Sequence, residues 1–177
     1  MAKKILRYAL HIAVVLMVFW LLSWFQARNL LTDRDTKQVS FISVNTLAEP
    51  TNRLIQLPIE GKVTVLYFFA PWCHVCKLSI NNLETLKNVY KDDINVVPIA
   101  LSYENIASVN DFLQARDFKL PAYLGSETLA AEFKVDVFPT YYVLNADGTI
   151  SHSAVGYTTS MGLIVNTLMG EAKPDPS

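Results

Sequence analysis

The chain has 177 residues, a formal net charge of −1, 51% apolar residues and two cysteines. That length accommodates one domain and an appendage. The balanced charge leaves no basic face of the kind that binds nucleic acid, so no nucleic-acid partner is expected. The charge is unevenly placed, however. All 16 acidic residues follow residue 28, whereas Lys3, Lys4, Arg7 and Arg28 lie at or before it, so the remainder carries 11 basic residues and a net charge of −5.

Tyr8 through Phe25 contains no Asp, Glu, Lys or Arg. With Ile5 and Leu6 it reaches about 30 Å as a helix, the thickness of a hydrocarbon core. Arg7 is placed to snorkel, and Trp20 and Trp24 stand where aromatic belts form. A cleaved signal peptide is the competing reading, but Phe25-Gln26-Ala27 puts a large residue where cleavage favours a small one. The expectation is a membrane anchor over residues 1–28, in which His11 has no functional role. A polar tether follows over 29–38. The Lys/Arg counts on the two sides nearly tie. The tightly clustered leading charges favour a cytoplasmic N-terminus, which places the following domain outside the cytoplasm.

Residues 39–170 read as one domain. Val39–Val44 is an expected strand, Ala48–Arg53 a loop, Ile55–Leu57 a short strand, and Glu60-Gly61 a turn. Val63–Phe69 is a continuous apolar run, as in a strand buried on both faces. Cys76, Ile80, Leu83, Leu86 and Tyr90 then repeat at helical spacing, which predicts one helix from Cys73 to about Tyr90. Ile94–Leu101 is a second buried strand. A helix opening at Ser102 or Glu104 runs to about Arg116, Ala122–Leu124 is a brief strand, and Glu127–Phe133 a short helix. Tyr141–Leu144 and Thr149–Val155 form a hairpin around Asn145–Gly148. Thr159 caps a last helix, and a disordered tail is expected over 171–177. This order predicts a mixed α/β sheet covered on both faces.

Cys73 and Cys76, the only cysteines, fall at the turn between the Val63–Phe69 strand and the helix after it. The partial positive charge of a helix N-terminus favours the thiolate, the reactive form of cysteine. Zinc needs about four ligands at characteristic spacings, which two Cys and the isolated His74 and His152 do not supply. A disulfide closing so short a loop constrains the unfolded chain little. Thiol–disulfide exchange is the chemistry these residues fit, and no resident metal is expected. Pro139, entering the Tyr141–Leu144 strand, reads either as an ordinary strand-start proline or as a cis proline beside the cysteines.

These segments resemble the thioredoxin superfamily. Ala70-Pro71-Trp72-Cys73-His74-Val75-Cys76 is similar to its active-site motif, and Val137-Phe138-Pro139-Thr140 to its cis-proline loop. Gly61-Lys62, the segment between the second buried strand and the proline, and the apolar N-terminus resemble the TlpA/ResA/DsbE branch of membrane-anchored bacterial thiol–disulfide oxidoreductases. The resemblance implies a thioredoxin-like fold after one transmembrane helix. It implies a nucleophile at Cys73 and a resolving thiol at Cys76. It also implies support from Trp72, His74 and Pro139, and a substrate groove at Phe138 and Thr140. Trp72 has the alternative reading of a plain core aromatic, and His74 that of a solvent-facing helix residue. No cofactor beyond the cysteine pair is implied. The implied partners are protein dithiols or disulfides and a membrane-embedded electron donor, with the domain on the periplasmic or outer side of a bacterial cytoplasmic membrane. Two positions depart from the pattern. Tyr67 stands where thioredoxin holds a buried acid, and Ser79 where ResA-like proteins hold a glutamate, so the usual acid–base helper is missing. The direction expected is reduction of partner disulfides. The competing functions are a disulfide oxidase or isomerase and a Cu(I)-binding module using Cys73, His74 and Cys76.

Overall fold

A computed structural model describes residues 10–18, 21, 41–47, 52–57 and 59–171. Contacts divide the chain into Met1–Leu30 and Leu31–Ser177. In the first unit residues 10–18 form helix α1, with Leu10, Val15, Leu16 and Met17 exposed. Among the described residues no helix is long and apolar enough to cross a membrane. Most of the expected anchor and all of the expected tether lie outside the described residues.

In the second unit the strands are β1 (Phe41–Thr46), β2 (Asn52–Gln56), β3 (Val63–Phe69), β4 (Ile94–Ala100), β5 (Tyr123–Leu124), β6 (Thr140–Leu144) and β7 (Ile150–Val155). The helices are α2 (His74–Ser79), α3 (Asn82–Tyr90), α4 (Ile106–Ala115), α5 (Glu127–Glu132) and α6 (Ser160–Glu171). One sheet holds the strands in the order β2-β1-β5-β4-β3-β6-β7. β3 pairs parallel with β4 and antiparallel with β6, and β4 pairs parallel with β5. The remaining ladders are antiparallel, so the sheet is mixed, as expected.

The apolar run Val63–Phe69 becomes a strand with every residue buried and a neighbour on each side. Its one aliphatic hydroxyl is satisfied locally: Thr64 Oγ1 donates to Lys62 O at 3.1 Å and accepts from Ile59 N at 3.3 Å. Pro98 is tolerated inside β4 because β5 is two residues long and reaches only Ile99 and Ala100 of β4, leaving Pro98 one strand neighbour. Gly125 follows β5 under steric compulsion. A Cβ there would stand 2.6 Å from Leu101 Cδ2 and 2.8 Å from Ile99 Cγ2. One core cluster runs from β3 through Cys73 and Cys76 to Ile80, Leu83 and Leu86, and takes in Phe112 and Tyr141.

Four expectations are corrected. The loop expected over Ala48–Arg53 gives way to strand at Asn52 and Arg53, which pair with Asn45 and Val44. This is the outer strand of the sheet, where polar residues suit a solvated edge and hide the strand from an apolar pattern. The early strand runs Phe41–Thr46, displaced toward the C-terminus from Val39–Val44; residues 39 and 40 lie outside the described set. The single helix from Cys73 to Tyr90 is broken at Ile80-Asn81. Ser79 Oγ donates back to Val75 O at 2.9 Å, a bond known to bend helices, and Leu83 N tightens onto Ile80 O at 3.0 Å. α4 opens after Asn105, whose Oδ1 accepts from Ser108 N at 2.8 Å, rather than at Ser102 or Glu104. Ser102 instead has φ 50°. The cap expected at Thr159 is present, with Gly162 N donating to Oγ1 at 3.1 Å. α6 reaches Glu171, the first residue of the expected tail, and residues 172–177 lie outside the described set.

Candidate active site

β3 delivers the chain to Ala70, and a turn over Pro71-Trp72 places Cys73 at the N-cap of α2. Cys73 and Cys76 are joined by a disulfide with a Cα–Cα distance of 5.3 Å. Cys73 Sγ accepts the Cys76 N–H at 3.0 Å. A sulfur at the N-cap thus takes one of the backbone donors that a helix start leaves unpaired, and that donor favours negative charge on the sulfur. Cys76 has no solvent exposure, and Cys73 is 5% exposed. The outer sulfur is therefore the one a partner reaches first.

Trp72 is 60% exposed, which corrects its reading as a core aromatic. Two contacts hold the indole in place. Its Nε1–H donates to Ser102 O at 2.7 Å, and its ring meets Phe138 edge-on with centroids 5.6 Å apart. The second contact joins the cysteine turn to the loop before β6, where the Phe138–Pro139 peptide is cis. The cis-proline reading of Pro139 holds over the ordinary strand-start reading. Thr140 is fully buried, and its hydroxyl donates to Val137 O at 2.7 Å. Its side chain thus secures the loop from inside. Phe138 is half-buried and lines a groove.

That groove has a volume of about 710 Å³ and lies among Trp72, Phe138, Ser102, Gly125 and α5. A second hollow of about 420 Å³ lies on the other side, against α4, and Trp72 borders both. The site occupies the loops after β3, β4 and β5, outside the carboxyl ends of parallel strands, where α/β sheets place their binding crevices. His74 is exposed, in keeping with its solvent-facing reading. Among the described residues no three Cys, His, Asp or Glu side chains gather as a metal site.

The two departures from the family pattern touch each other. Tyr67 OH and Ser79 Oγ lie 2.7 Å apart, fully within the core. Burial raises the Tyr67 phenol far above its ordinary value, with the Ser79 hydrogen bond opposing the rise, so the pair is neutral at physiological pH. Among the described residues no carboxylate is buried. Sequence reasoning missed this pairing, yet it left a signal. Ser79 falls on the buried face set by Cys76 and Ile80, and a buried hydroxyl requires a partner. Ser102 was missed as well, because its contribution is a backbone carbonyl.

Comparisons with known proteins agree with this geometry. The family model described as thioredoxin-like matches residues 61–150. Sporulation thiol-disulfide oxidoreductase A of Bacillus subtilis is 26% identical over 153 residues, covering 84% of this chain and 91% of the relative. A thioredoxin-like protein of Haemophilus influenzae is 28% identical and covers 96% of each chain. The crystal structure of StoA from Bacillus subtilis superposes with a TM-score of 0.63 at 26% identity, covering 74% of this chain and 99% of that one.

Proposed function

The chain belongs to the thioredoxin-like family, and from that premise we propose that it reduces protein disulfides outside the cytoplasm through Cys73 and Cys76. The observation that carries this reading is the disulfide at the α2 N-cap, its outer cysteine 5% exposed next to Trp72, whose ring meets Phe138, and its inner cysteine fully buried.

In the reduced protein the Cys73 thiolate attacks one sulfur of a partner disulfide. A Cys73–partner bond forms and the partner's other sulfur leaves as a thiolate. Cys76, deprotonated, then attacks Cys73 Sγ, closes the Cys73–Cys76 bond and releases the second partner sulfur. Two electrons pass to the partner, which takes up two protons. Trp72 and Phe138 border the surface on which the partner lies, and the cis peptide before Pro139 shapes the loop beside it. The chemistry needs no group beyond the disulfide. A membrane-embedded dithiol donor returns Cys73–Cys76 to its reduced form. The charge-free run Tyr8–Phe25 supports a membrane anchor over residues 1–28, with 29–38 as tether, and the cluster Lys3, Lys4 and Arg7 supports a cytoplasmic N-terminus.

The reduction potential tests the direction. A value near that of thioredoxin, about −270 mV, fits a reductase, whereas one near that of DsbA, about −120 mV, assigns the protein as an oxidase.

A further inference from the structure

Four hydrogen-bonding groups form an unbroken line from the middle of the sheet to the outer sulfur. Ser79 has one hydroxyl proton, and it goes to Val75 O at 2.9 Å. The 2.7 Å contact between Tyr67 OH and Ser79 Oγ is therefore donated by the tyrosine. The Val75 carbonyl belongs to the same peptide unit as the Cys76 N–H, which points at Cys73 Sγ at 3.0 Å. The line reads Tyr67 O–H, Ser79 O–H, the Val75–Cys76 peptide, Cys73 Sγ.

We propose that Tyr67 and Ser79 are positioning residues that tune the Cys73 sulfur through the Val75–Cys76 peptide, taking the part of a nearby charge. A hydrogen bond received by an amide oxygen draws electron density toward it and makes the N–H of that amide a stronger donor. Successive bonds in a line strengthen one another in this way. The strengthened N–H stabilises negative charge on Cys73, which favours the reduced form. Four of the residues in the line are buried, with Tyr67 2% exposed, Ser79 1%, Cys76 0% and Cys73 5%, while Val75, which contributes the carbonyl between them, is 38% exposed. The line also carries no net charge. The titratable and charged groups around the site are Tyr67, Tyr90, Tyr103 and Tyr141 of the core cluster, His74 and Lys77 of α2, Arg116, whose Nη1 donates to Lys77 O at 3.5 Å, and Glu104, Asp111, Glu127 and Asp136 on the walls of the two hollows; only Tyr67 takes part in the line.

This inference rests on Cys73 being the reactive sulfur, as proposed above. Its test needs no partner, so its failure is separate from a failure to exchange disulfides with proteins. The full chain is prepared as Ser79→Ala, Tyr67→Phe and Ser79→Thr. The reduction potential is measured against glutathione buffers, and the pH profile of Cys73 alkylation is recorded. Ser79→Ala is expected to lower the acidity of Cys73 three- to fivefold. The same factor moves the potential about 14 to 21 mV more negative, at 29.6 mV per decade. Tyr67→Phe moves both readouts the same way by less, and Ser79→Thr, which keeps a hydroxyl, restores them. A purely structural pair would lower the melting temperature and leave both readouts at their wild-type values, which overturns the proposal. So does a shift in the opposite sense. If Ser79→Ala does not fold, Tyr67→Phe decides alone, because it leaves the Ser79 bond to Val75 in place.

Discussion

The two sides of the cysteine turn are built from opposite materials. On the outer side an exposed indole leans on Phe138 and on a backbone carbonyl, and hollows open on both flanks. On the inner side Cys76, Tyr67 and Ser79 lie in a packed core where every hydroxyl has a partner. The contrast assigns the labour of the site. On the function proposed above, the outer side, open and with its anchors held by few contacts, is the one that meets a partner protein. The inner side, dry and with its groups fixed, is the one proposed to set the chemistry of the sulfurs. Changes outside should therefore alter which partners react and how fast. Changes inside should alter potential and stability whatever the partner.

The largest effect expected is at the sulfurs. Cys73→Ser removes the outer nucleophile and abolishes reduction of both protein and small-molecule disulfides, measured by thiol release. Truncation of a core side chain on the inner side comes next. Leu83→Ala, at a position with no exposure, should cost about 2–5 kcal/mol in denaturant unfolding. The reduced protein should keep its reactivity toward a small disulfide while it remains folded. On the outer side, Trp72→Ala should change stability by less than about 0.5 kcal/mol. It should nonetheless slow reduction of a protein disulfide about tenfold, the scale of losing an interface aromatic worth over 1 kcal/mol. If protein and small-molecule disulfides slow equally, the division between the two sides fails.

The smallest effect is remote from both sides. Burial lowers the His152 pKa in the folded protein, and its ring stands 5.9 Å from that of Tyr141. A group whose charged form is disfavoured by folding binds its proton more tightly when unfolded. Stability should therefore fall as pH drops below about 6.5, and the loss is complete below the lowered folded value. His152→Gln should flatten that part of the stability–pH curve without touching the reduction potential.

Much of the inner side was legible in the amino-acid order. Val63–Phe69 announced a strand buried on both faces, because every position was apolar or aromatic except Thr64. The cysteines fell at its end, before a helical repeat. Phe138-Pro139 stood out as a proline entering a strand. What escaped were properties that a one-dimensional pattern does not carry. The apolar repeat from Cys76 to Tyr90 runs through the break at Ile80-Asn81, since the break is made by a side-chain bond from Ser79 and leaves the core-facing residues in place. The contact between Tyr67 and Ser79 spans a strand, a turn and a helix. β2 is held by pairing with β1, so its polar edge read as loop. Trp72 is aromatic and adjacent to the core, and its exposure follows from a carbonyl at Ser102 that no side-chain pattern records.

The central claim, that Cys73 attacks and Cys76 resolves, is tested most directly by trapping. In Cys76→Ser the mixed disulfide cannot be resolved, so partner proteins should accumulate bound to the chain and be released by reductant, and the accumulation should vanish in Cys73→Ser/Cys76→Ser. Partners trapped equally well by Cys73→Ser alone would contradict the account.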